Sequence, residues 1–216
     1  MIAEYAASLA GRLSFDRSLS RCVREEVEDH LWQAVAADPA GDSPEAQRRA
    51  IENFGDPRAI AAQFAVDSLA RQAGKTGVTA ILVIAGVFLA MATRLTWYDL
   101  TQWGLCEDLV DLSETVGMID RSAFWLAAIG GAAGWFYRRQ LERFVVLCAI
   151  ASGGIIACVI CDGVLTALRL SGWEFSADFL VPLFSMAIEV VCAGVLAFYV
   201  GGLPRRMAST AALQRA

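Results

Sequence analysis

Beyond Lys75 the chain is dominated by long apolar runs separated by short polar joints, more than a soluble core of this size could hide. Crossing the hydrocarbon of a bilayer takes roughly 20 mostly apolar residues in a helix. Residues 78–97, 118–137, 144–168 and 179–202 meet that length, and four spans are expected. The first is flawed only by Arg94, which is expected to snorkel towards the interface, with Trp97 and Tyr98 in the interfacial belt. The second is softened by Gly130, Gly131 and Gly134, so a re-entrant segment is its alternative. Composition agrees, since only 19% of residues are charged and mean hydropathy is +0.49.

Residues 1–72 are different, with Arg interleaved among Asp and Glu. The first residues have an early Glu4, no basic leader and no apolar stretch of signal length, so this part is expected to stay in the cytoplasm. Loop charge points the same way. Arg71 and Lys75, then Arg138, Arg139 and Arg143, then Arg205 and Arg206 fall on one side. Glu107, Asp108, Asp111, Glu114, Glu174 and Asp178 fall on the other. The positive-inside rule then places both termini in the cytoplasm and makes this a multi-pass protein of the cell inner membrane.

Four short helices are expected in residues 1–72. The first covers 2–13. Asp16 or Ser18 caps a second running to about Ala37, with Leu19, Cys22, Val23, Val27, Leu31, Ala34 and Val35 at helical spacing. Ser43 caps a third over 44–54, with Pro44 in its first turn and Gly55 as a left-handed stop. Asp56 caps a fourth that starts at Pro57 and runs towards the first span, weakened at Gly74-Lys75-Thr76-Gly77. The expected fold is all-α: a small helical domain (1–72), a four-helix transmembrane domain (73–206) and a cytoplasmic tail (207–216).

Residues 5–68 resemble the HAAS-type helical signalling domain. The matching residues are Glu28, Asp29 and His30, Ala46 and Ala50, the turn Phe54-Gly55-Asp56-Pro57, then Ile60 and Ala61. The resemblance implies a domain attached to membrane helices and linked with a transcription regulator, as in an anti-sigma-like or PadR-partner-like protein. Some permeases carry such a domain too. Eight Arg against twelve Asp plus Glu give residues 1–72 a net charge of −4, which disfavours direct nucleic-acid binding and suits a protein partner with a basic face. Glu25, Glu28, Asp29 and His30 on the second helix are the candidate partner-binding residues. The alternative function is a small transporter, or transporter subunit, with a polar intramembrane site.

No catalytic signature is present, and neither an enzyme nor a cofactor is expected. His30 beside Glu28 and Asp29 fits acid/base chemistry, but a helix histidine bonded to a nearby loop is the plainer reading. Cys158 and Cys161 have metal or redox spacing, yet inside a span they are expected to pack as small apolar groups. Cys106 alone lies on the predicted outer side. The acids inside the spans carry more weight. A carboxylate in lipid costs several kcal/mol unless it is paired, so Asp162 and Glu189 must face the bundle interior. Depth counting puts Glu189 level with Cys158, and Asp162 within reach of Arg169 or Arg94. Either an ion, proton or ligand site or a set of interhelical hydrogen bonds accounts for them. Gly130, Gly131, Gly134, Gly153, Gly154 and Gly194 are expected at close helix contacts, and homo-oligomerisation is left open.

Overall fold

The computed structural model describes residues 1–101, 109–170 and 177–215. Cys106, Glu107, Asp108 and Glu174 lie outside the described residues. Among those described there is no strand. Seven α-helices follow in order: α1 (Ile2–Arg12), α2 (Arg17–Ala36), α3 (Pro44–Phe54), α4 (Pro57–Leu100), α5 (Val110–Phe136), α6 (Leu141–Leu170) and α7 (Leu180–Arg215), with a 3-10 turn at Ala177–Phe179. The chain divides into two compact units, Met1–Gln72 with Pro204–Ala216, and Ala73–Leu203.

Local chemistry explains where the helices of the first unit begin and end. Asp16 is the cap of α2, its carboxylate accepting from the backbone N–H groups of Ser18 and Leu19. Ser43 accepts from Ala46 N–H at the start of α3, where Pro44 needs no donor. Asp56 accepts from Arg58 N–H ahead of Pro57. The core joins Ile2, Leu9, Leu13, Val23, Val27, Leu31, Val35, Ala46, Ala50, Ala61 and Ala65. Each fully buried Leu, Ile or Val there stabilises by about 1.5–3 kcal/mol. Cys22 and Ala34, expected in that stripe, are exposed, because the buried face of α2 is the narrower series Val23, Val27, Leu31 and Val35. The last turns of α7 belong to this unit: Leu213 packs on its core and Arg206 pairs with Asp16.

Gly55 does stop α3, but not in the left-handed helical conformation. Its φ of 107° and ψ of −166° lie in a region open essentially to glycine alone. The weak point expected at Gly74–Gly77 is absent as well. α4 is one helix of 44 residues, and Ala73 and Thr76 are both buried.

Three helices are long and apolar enough to cross a membrane: Pro57–Leu100, Leu141–Arg169 and Leu180–Arg215. At 27 residues α5 is long enough, at about 1.5 Å per residue, but Asp111, Glu114, Asp120 and Arg121 crowd its first half. In the second unit many large apolar side chains turn outward, as Phe136 (83% exposed) and Phe198 (80%) do, while the buried set includes Arg94, Asp120, Asp162 and Glu189 beside Phe144, Ile155 and Leu196. That is the inverse of a soluble protein and suits a lipid surround. Close contact between α5 and α6 leaves no room for a side chain at Gly154 and little at Gly130. A Cβ on Gly130 would lie 3.2 Å from Leu147 O, and one on Gly154 would lie 2.7 Å from Ala123 O. Gly153 and Gly194, also expected at contacts, have nothing within 4 Å of a Cβ.

Candidate functional site

Four helices of Ala73–Leu203 each deliver one buried charge. Arg94 comes from near the end of α4, Asp120 from α5, Asp162 from α6 and Glu189 from α7. Arg94 is 3% exposed and does not snorkel. One guanidinium nitrogen pairs with Asp162, and Nη1 donates to Glu189 Oε2 at 3.3 Å. The planar fork of arginine suits this double engagement better than a lysine would. Asp162 and Glu189 are therefore brought together through Arg94, and Arg169 takes no part in that bridge. One cation against two carboxylates leaves one formal negative charge at the bridge.

Arg169 instead lies over the ring of Tyr98, 3.8 Å from its centroid, and the Tyr98 hydroxyl is 3.3 Å from Thr166 Oγ1. Tyr98, expected in an interfacial belt, is thus an interior residue at 6% exposure. A neighbouring contact also ties α7 to α4, with Ser185 donating to Ala90 O at 2.8 Å.

A cavity of about 470 Å³ opens beside the bridge, between the end of α4, the start of α5 and the end of α6. Arg94, Asp120, Asp162 and Arg169 line it. Asp120 is only 6% exposed, and its Oδ1 accepts no hydrogen bond. Sequence reasoning missed Asp120 as a site residue by leaving it at the edge of the acidic loop. Its helical spacing with the small residues Ala123, Ala127, Gly130 and Gly134, which form the buried face of α5, was the available signal.

The cysteine pair is split by environment. Cys158 is fully buried against the Asp120 carbonyl, at 3.5 Å, whereas Cys161 is half-buried. Among the described residues no three His, Cys, Asp or Glu side chains converge as metal ligands.

On α2, Glu25, Asp29 and His30 are exposed and Glu28 is half-buried. The expected acidic face is mixed in sign, since Arg21 and Arg24 precede Glu25 and Glu28 by four residues each. Arg17, Arg21 and Arg24 line a second cavity of about 630 Å³ with residues of α1. The turn Phe54-Gly55-Asp56-Pro57 is held by a residue that sequence reasoning did not single out. Tyr5 donates from its hydroxyl to Gly55 O at 2.8 Å, and its ring meets Phe54 edge-on at 6.0 Å. Burial first, then the Asp56 charge, pushes the Tyr5 phenol above its usual range. At the other end of α3, the Arg49 hydrogen bond and the Ala40 N–H hold Asp38 below the ordinary carboxylate range. Compared with known proteins, the chain matches no family model, no curated protein and no solved structure.

Proposed function

We propose that this protein is a membrane-anchored regulator whose cytoplasmic helical domain binds a protein partner, most simply a transcription regulator, as the HAAS-type resemblance implies. The observation that carries the reading is continuity. α4 holds both the last helix of the small domain and the first span, and α7 runs from the last span into the same small unit. Both connections between the spans and the domain are thus helical, which supports a reading in which a change in the spans alters the domain. Pro204 is the weakest point of α7, since it cannot donate to the carbonyl four residues back.

The same unit supports a count of four spans with α5 as the second. Leu213 and Arg206 pack with residues of the N-terminal domain, so both ends of the chain belong on one face of the membrane. That needs an even number of crossings. The arginine-rich loops support a cytoplasmic side for this face, at the cell inner membrane. An impermeant thiol reagent applied to intact cells is therefore expected to label Cys106 and to spare Cys22. A reporter fused after Arg215 should read cytoplasmic. Labelling of Cys22 with protection of Cys106 would reverse the orientation.

A second reading, a small transporter, is favoured by one observation, the buried Arg94–Asp162–Glu189 bridge. Transport paths are where such intramembrane charges concentrate. Two variants of the full chain separate the readings. Glu25→Lys with Glu28→Lys should weaken capture of a partner from detergent extract by about tenfold or more and leave proteoliposome ion flux unchanged. Glu189→Gln should leave capture intact. If Glu189→Gln abolishes a measured proton flux while the double lysine variant captures as the parent does, the regulator reading fails.

A further inference from the structure

We infer that the cavity beside the charge bridge binds a small organic cation, a primary ammonium seated between Asp120 and Asp162 with its apolar body against Met91, Leu95, Met118 and Leu165. All six residues line that one space of about 470 Å³.

The sign follows from which charges are already engaged. Arg94 is held by Asp162 and Glu189, and Arg169 is stacked on Tyr98. Arg121 and Glu114 reach the cavity as exposed residues. Asp120 and Asp162 are at least nine-tenths buried, and one oxygen of each, Oδ1 and Oδ2 respectively, accepts no hydrogen bond. Among the described residues of this unit the buried carboxylates, Asp120 and Asp162 at the cavity and Glu189 behind Arg94, outnumber the one buried cation, Arg94. An orphaned buried carboxylate oxygen is costly, and a ligand donating to it removes that cost. A primary ammonium has three donors and can serve both acids at once. The Met and Leu side chains then bury an apolar body, as in most small-molecule sites. Arg169 Nε, also without a hydrogen-bond partner, offers a donor to any acceptor on the same ligand.

The inference concerns Ala73–Leu203 alone and stands whether or not residues 1–72 capture a partner. Two sources share the chemistry, a soluble amine and the headgroup of phosphatidylethanolamine. The test uses the full chain in phosphatidylcholine nanodiscs, titrated calorimetrically with 2-phenylethylammonium against empty discs. Saturable binding is expected, at least about tenfold tighter than that of 2-phenylethanol, which has the same shape without the charge. Asp120→Asn, which keeps size, should weaken binding of the amine about tenfold or more while its helix content matches the parent's. Repeating the titration in discs containing phosphatidylethanolamine assigns the source: weakened binding of the amine points to the headgroup, unchanged binding to a soluble amine. Equal affinity for amine and alcohol, absence of saturable binding, or parent-like binding by Asp120→Asn overturns the proposal.

Discussion

Replacing Arg94 by leucine is expected to cost about 3–5 kcal/mol of stability, the range seen when one partner of a buried ion pair is removed. The loss comes from what remains behind. Asp162 and Glu189 would be left in the bundle at 2% and 0% exposure with no cation between them. Unfolding in mixed micelles, followed by tryptophan fluorescence, is the measurement. The companion variant is decisive: Arg94→Leu combined with Asp162→Asn and Glu189→Gln removes all three charges and should recover most of the loss. Such non-additivity is expected of residues in one network. A snorkelling Arg94 would give the opposite result, because leucine suits a lipid-facing position better than arginine. Parent-like stability of the single variant would therefore remove the bridge as an element of the fold.

That contrast marks how far the sequence carries. Much that is set by neighbours within one turn was legible: the caps at Ser43 and Asp56, Asp16 as one of two candidate caps, the prolines at helix starts, and a stop at Gly55. The apolar runs of α4, α6 and α7 were legible because hydropathy needs only length. The direction of Arg94 was not. A one-dimensional hydropathy pattern does not give helical phase, and the partners of Arg94 lie on two other helices, 95 residues away in the case of Glu189. Asp162 and Glu189 were legible as interior groups because lipid forbids the alternative, and Arg94 was legible as one of two candidate partners of Asp162; that Arg94 also holds Glu189 was not. Gly74 and Gly77 read as a break because each glycine costs about 1 kcal/mol in a helix. Burial around Ala73 and Thr76 outweighs that preference. Tyr5 escaped notice for a similar reason, since its bond to Gly55 joins residues 50 apart.

Gly55→Val is expected to destabilise the small unit by about 3 kcal/mol, the upper end for a residue forced into a sparsely populated backbone region. Space is not the cause. A Cβ at Gly55 would meet only Ile60 Cδ1, at 3.8 Å, an ordinary contact. The cost is torsional, so Gly55→Ala should lose nearly as much as valine does. Asparagine separates the two accounts of this turn. Were Gly55 a left-handed helical cap, Asn would be tolerated within a few tenths of a kcal/mol. At φ 107° and ψ −166° it should fail along with Ala. The Gly55 carbonyl is also the acceptor for Tyr5, so a shifted turn loses that bond, worth about 1 kcal/mol. Tyr5→Phe alone should show that smaller loss, and adding it to Gly55→Val should cost less than the sum of the two. The readout is the thermal midpoint of protease protection of Met1–Gln72 in the full-length protein. If Gly55→Val melts with the parent, or Gly55→Asn does while Gly55→Ala falls, the strained-turn account is wrong.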